Sequence, residues 1–436
     1  MKLPLYPILA VASLLAALLF FAGCAAEKPV DAPAIVSVMD SLLDQKEYFR
    51  LERQLTLHLP DLSKARRLYY AAILDNAFNR DSDCARRVDS LMGAERGGLS
   101  DSLKAKLLRY QGASYFKTGL YRAAAGVDSL LLHDYKTVMD SSTYADIKND
   151  SLIRNALRDV PPQQVSAGTG SEVSWSRDAL ALIELPIRLH AQSVNAIFDT
   201  RANISSITRT FAEKLRLRLL NVRYDEGAGM TGIQFKVGLA VADSLWIGNV
   251  LVRNAIFQVM PDSIFYIAPI HFQLNLILGY PIIAGLQEVR LFGDGKMEIP
   301  STAEPGGAHN MFMDRLDPVL RLTSGADTLL FDFDSGAGTT VLYSTYFRLH
   351  QAAVQAKGTK KKTSLGGAGG VKTSDTYELP ALPLTLGART VRIDSVTVLT
   401  EKITPGERFS GNLGEDFMRQ FKLLVINFRY VYVRAE

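Results

Sequence analysis

A duplication after Ala179 constrains this chain most. In the first copy, Leu185-Pro186-Ile187-Arg188-Leu189 leads into Ala196-Ile197-Phe198-Asp199-Thr200-Arg201-Ala202-Asn203, then Ser206-Ile207. In the second, Val319-Leu320-Arg321-Leu322 leads into Phe331-Asp332-Phe333-Asp334-Ser335-Gly336-Ala337-Gly338, then Val341-Leu342. A glycine-rich turn follows each: Gly227-Ala228-Gly229 and Gly366-Gly367-Ala368-Gly369-Gly370. Next comes an apolar-Gly signal, Ile277-Leu278-Gly279 and Asn412-Leu413-Gly414, and then a closing strand pattern, Val289-Arg290-Leu291-Phe292 and Leu424-Val425-Ile426-Asn427-Phe428. Short runs of Val, Ile, Leu and Phe between Gly and Asp turns read as strands. The expected fold is therefore a pair of similar β lobes, 179–300 and 316–436, joined by a linker at 301–315.

The repeated element with chemistry is the Asp turn. Two neighbouring carboxylates cannot both ionise easily, so they share a proton and their pKa values split. One can then take a proton from water while the other gives one to a carbonyl. This order of features resembles the retropepsin-like aspartic protease family, with two units in one chain as in pepsin-like enzymes. The resemblance covers about residues 179 to 434. It implies an all-β bilobed domain in which Asp199 and Asp334 are catalytic and the hydroxyls of Thr200 and Ser335 brace the two turns. Arg201, Ala202, Gly336 and Ala337 complete the turns. Gly227, Gly229, Gly367 and Gly369 tip the flaps. Arg201 departs from the family, which has Gly there. Its guanidinium could bridge both carboxylates, removing the shared proton, or turn outward. The expected arrangement is an outward or mobile Arg201, since the other motif residues are intact. Asp332 reads as a strand or edge residue, and Lys360-Lys361-Lys362 as a solvated flap tip.

Residues 34–158 read as all-α: helix formers dominate, apolar residues recur three and four apart, and Pro and Gly are sparse. Tyr110-Gln111-Gly112-Ala113-Ser114-Tyr115-Phe116, Thr118-Gly119-Leu120-Tyr121 and Ala123-Ala124-Ala125 resemble a tetratricopeptide-type helical hairpin, with a weaker copy about forty residues earlier. A plain helical bundle is the equal alternative. Either supplies a docking or spacer surface for a protein partner rather than chemistry. Pro161-Pro162 and Gly168-Thr169-Gly170 mark a linker at 159–178, across which few contacts are expected.

Residues 1–23 read as a signal peptide: Lys2, then an apolar run too short to span a membrane. The ending Phe21-Ala22-Gly23-Cys24 resembles the bacterial lipobox. The resemblance implies lipidation of Cys24, a tether at 24–33, and anchoring at the cell envelope, at the outer membrane since Ala25 follows the cysteine. An ordinary signal peptide that contains a cysteine is the other reading. Cys84 then has no disulfide partner and reads as a buried structural thiol. A formal net charge of +4 on 436 residues argues against a nucleic-acid partner. No metal spacing, P-loop or Ser-His-Asp pattern is present, so no cofactor or metal is expected. Three functions remain open: an envelope aspartic endopeptidase acting on peptides or unfolded protein, a catalytically impaired peptide-binding module, and an envelope scaffold.

Overall fold

A computed structural model describes residues 31–94, 99–228, 233–367, 370–403 and 407–436. Cys24 and the leader lie outside the described residues, as do Gly229 and Gly369. Two compact units emerge, Met1–Tyr70 and Ala71–Glu436. In the first, α1 (Pro33–Asp44) packs on α2 (Tyr48–Leu57), burying Met39, Leu42, Leu43, Leu51 and Leu55. Tyr70 Oη donates to Asp40 Oδ1 at 2.8 Å.

The second unit opens with the end of α3 (Lys64–Ala77) and continues through α4 (Asp81–Ala94), α5 (Asp101–Lys117), α6 (Tyr121–Asp134) and α7 (Ser141–Leu157). Helices α4 to α7 pack each on the next. Their starts follow capping chemistry. Ser100 Oγ accepts from Leu103 N at the head of α5, and Asp140 Oδ1 from Thr143 N at the head of α7. Gly119 turns the chain between α5 and α6 with φ of +75°, a conformation that glycine adopts without strain. Cys84 is fully buried, and burial pushes its thiol up to about 12.

The β-rich part carries the duplication into topology. Its first sheet contains β1 (Gln164–Ser166), β3 (Ser176–Arg177), β4 (Ile183–Leu189), β5 (Gln192–Phe198) and β6 (Ser205–Thr208). After α8 (Arg209–Lys214), the same sheet takes β7 (Arg218–Ala228), β8 (Ile233–Ile247), β9 (Val250–Met260) and β12 (Leu276–Leu278). The order is β1-β9-β6-β12-β5-β4-β8-β7, with β3 on β4, while β10 (Tyr266–Ile267) and β11 (Phe272–Gln273) form a two-stranded sheet of their own. The second sheet is built from β15 (Met311–Asp314), β16 (Asp317–Ser324), β17 (Asp327–Phe333), β18 (Val341–Leu342), β19 (Thr359–Gly367), β20 (Gly370–Leu386), β21 (Arg389–Leu399) and β22 (Gly411–Leu413). Its order is β15-β16-β17-β22-β18-β21-β20-β19. In each sheet the strand entering the Asp turn pairs parallel with the apolar-Gly strand: β5 with β12 and β17 with β22. The strand after the turn pairs antiparallel with that same strand in both. We call these two sheets, with their helices, lobe 1 and lobe 2.

A third sheet joins the halves. Its order is β2 (Ser171–Ser174), β14 (Lys296–Ile299), β13 (Glu288–Phe292), β23 (Leu423–Asn427) and β24 (Tyr432–Ala435). The central antiparallel pair β13–β23 takes one strand from each repeat.

Four expectations are corrected. The segment 159–178 is more than a linker: β1 pairs β9, β2 pairs β14 and β3 pairs β4. The inter-lobe segment 301–315 likewise contains β15. The helices also make many contacts with the β part. Asn149 of α7 donates to Asp225 O at 2.8 Å and accepts from Asp225 N at 2.9 Å. Tyr280 Oη donates to Asn79 Oδ1 at 2.9 Å. Ile153 and Leu157 of α7 belong to the same buried apolar cluster as Ile197, Tyr224 and Ile277 of lobe 1. The free edge of β7 needs a partner for its backbone groups, and α7 supplies one. Finally, Lys360, Lys361 and Lys362 are exposed but lie along strand β19, below the flap tip, with Lys361 paired to Glu378.

Candidate active site

Each repeat places its Asp at the end of a buried apolar strand. In β5, Ala196, Ile197 and Phe198 are buried; in β17 the buried run is Phe331, Asp332 and Phe333. The backbone is held the same way in both lobes. Asp199 N donates to Leu278 O, and Asp334 N to Leu413 O, each at 3.0 Å. Gly279 N donates to Ser205 Oγ at 2.9 Å, and Gly414 N to Thr340 Oγ1 at 3.1 Å. Both glycines lie under the turns with no room for a side chain. A Cβ on Gly279 would lie 2.5 Å from Ala202 O, and one on Gly414 2.8 Å from Ala337 O.

The two turns interlock through their hydroxyls. Thr200 Oγ1 donates to Phe333 O at 2.7 Å and accepts from Ser335 N at 3.0 Å. Reciprocally, Ser335 Oγ donates to Phe198 O at 2.7 Å and accepts from Thr200 N at 3.0 Å. Both residues are completely buried. The brace brings Asp199 against the opposing turn so closely that a Cβ on Gly336 would collide with its carboxylate. A side chain at the third position of the lobe 2 turn would therefore displace the Asp199 carboxylate, while the lobe 1 turn accommodates Arg201.

The carboxylates sit in different surroundings. Asp199 Oδ1 accepts from Arg201 N at 2.9 Å and Ala202 N at 3.1 Å. Burial, and then the negative charge of Asp334, push Asp199 up to about 7. Asp334 Oδ1 accepts from Gly336 N at 3.0 Å, and its Oδ2 accepts from Asn412 Nδ2 at 2.9 Å. Asn412 replaces the Ile277 of lobe 1, a difference visible in the sequence whose meaning only the pairing reveals.

Arg201 does neither of the two things expected of it. Its Nη2 lies 3.1 Å from Asp332 Oδ2, across the lobe boundary. Tyr343 Oη donates to the same oxygen at 3.0 Å. Burial opposes the guanidinium charge, but Asp332, Tyr343 and Asp317 outweigh it and hold Arg201 well above its ordinary range. Asp332 lies on strand β17, as expected, but inside its sheet, as a buried ion-pair partner rather than an edge residue. The available signal was its spacing: an acid two residues before the turn Asp, in an otherwise apolar strand end. Among the flap glycines, Gly227 pairs Gln234 across one hairpin and Gly367 pairs Gly370 across the other. Among the described residues no group of His, Cys, Asp and Glu could hold a metal ion.

The residues so far define a two-turn, paired-aspartate site built by an internal repeat. No family model and no curated protein matches the chain. Among solved structures, it is similar to conglutin gamma, a basic 7S globulin from lupine seeds, at 12% identity and a TM-score of 0.38. That match covers 61% of this chain and 94% of the globulin. Basic 7S globulin from soybean is similar at 11% identity and the same TM-score of 0.38, covering 62% of this chain and 94% of that one.

Proposed function

We propose that the chain is an aspartic-type endopeptidase of retropepsin-like descent, lipid-anchored through Cys24 at a bacterial cell envelope. The observation that carries the catalytic reading is the reciprocal Thr200–Ser335 brace, which joins the two Asp turns, one from each repeat. Asp199, with its raised pKa, is the member that holds the proton and gives it to the scissile carbonyl. Asp334, held by Gly336 N and Asn412, takes the proton from the attacking water. Proton sharing and splitting of this kind is what the chemistry needs.

The test is to incubate the full-length protein with a diverse peptide mixture from acid to neutral pH. Cleavage that vanishes in Asp334→Asn supports the reading; no cleavage at any pH sinks it. The binding-module alternative is favoured by one observation: Arg201 is fixed by Asp332 within the site. In that case peptides bind without being cut. For the anchor, Cys24→Ala should release the protein from membranes, and a variant that stayed bound would refute lipidation. Among the described residues no helix is long and apolar enough to cross a membrane.

A further inference from the structure

The two lobes match in backbone and differ in chemistry at three equivalent positions beside the dyad. Two residues before each Asp stands Ile197 in lobe 1 and Asp332 in lobe 2. The register partner on the parallel strand is Ile277 for the first and Asn412 for the second. On the antiparallel neighbour, Ile197 pairs Glu184 and Asp332 pairs Val319. Two residues back from these partners lie Leu182 and Asp317. In lobe 2 the contacts show a shared face: Asn412, the partner of Asp332, donates to Asp334 Oδ2 at 2.9 Å, and Arg201 reaches Asp332 from the opposing turn. Leu182, Ile197 and Ile277 are buried in one apolar cluster. The lobe 2 trio is polar, and a cation already sits on it: Arg201, whose side chain keeps 30% of its surface open to solvent. Burial raises Asp317 to about 7, and the positive charge of Arg201 opposes that rise. Two buried atoms at the cluster have no partner: Arg201 Nε, and Oδ1 of Asn412, which is 5% exposed.

We propose that lobe 2 forms a cation subsite on Asp332, whose resting occupant is the chain's own Arg201. The substrate class that follows is a peptide with Lys or Arg beside the scissile bond. The basic residue must displace Arg201, so the parent enzyme is slow. The substrate side of this inference rests on the endopeptidase reading; the cation subsite itself does not.

The experiment compares full-length parent, Arg201→Gly, and Arg201→Gly with Asp332→Leu on peptides varied at both residues of the scissile bond. Folding of each is checked by thermal melting, and Arg201→Ser stands in if the glycine variant fails to fold. Arg201→Gly should cleave bonds beside a basic residue at least about tenfold faster than the parent. The double variant should lose that gain and accept large apolar residues instead. Cleavage with no preference for a basic residue in Arg201→Gly overturns the subsite and leaves the protease intact. If no protein cleaves, the endopeptidase reading falls, and calorimetry with arginine amide decides the subsite. Binding by Arg201→Gly but not by the double variant sustains it, and equal or absent binding in both overturns it.

Discussion

At the scale of single residues, the site depends on groups that have no solvent to fall back on. Thr200 satisfies Phe333 O and Ser335 N at once. Thr200→Val removes the hydroxyl and leaves a buried carbonyl and a buried N–H unpaired, each costing about 1–3 kcal/mol. Urea unfolding should show a loss of roughly 3 kcal/mol, and Thr200→Ser should restore most of it. Equal stability of the Val variant would mean that the brace is not what joins the turns. Asn412 acts on one carboxylate only. In an active enzyme, Asn412→Leu removes the donor that orients Asp334, and kcat should fall by roughly tenfold. An unchanged kcat would deny Asn412 its hold on Asp334.

At the scale of elements, α7 covers the outer edge of strand β7. Strand β7 is the last strand of its sheet, and Asn149 pairs both backbone groups of Asp225 on its open edge. Asn149→Ala should cost on the order of 1 kcal/mol and speed hydrogen exchange at the Asp225 amide; unchanged exchange there would show that the helix does not pin the strand. The same packing reverses the expectation that the helices come off cleanly. A fragment beginning at Ser171 lacks β1 and α7, and so uncovers Ile197, Tyr224 and their neighbours. It should aggregate or bind a hydrophobic dye. A soluble, cooperatively melting fragment would restore the linker picture.

At the scale of the whole molecule, several buried carboxyls titrate together. Burial is the first cause for Asp199, Asp317 and Asp128, each raised to about 7. A folded-state pKa above the unfolded value favours the folded state while the group is protonated. This stabilisation is full below the ordinary carboxylate range and is lost as pH rises through about 7. Melting temperature should therefore fall between mildly acidic and neutral pH, and Asp199→Asn should flatten part of that slope. A melting temperature that rises toward neutrality would contradict the raised values. Cleavage, where it occurs, should decline over the same window as the shared proton leaves.

By itself the sequence determined the repeat, the two Asp turns, the bracing hydroxyls and the helical region ahead of them. These are local patterns: period-2 strands, glycine under a turn, helix formers at three- and four-residue spacing. It also exposed Arg201 as the departure. It could not say where the guanidinium goes, because its partner Asp332 lies in the other repeat and only the packed lobes bring the two together. The same holds for Asn412 on Asp334, for α7 on the edge of β7, and for the strands in 159–178. Each depends on a pairing between distant segments, which composition and periodicity do not encode. Tertiary structure decides it, because a buried charge or an open strand edge takes whichever partner the fold brings within reach.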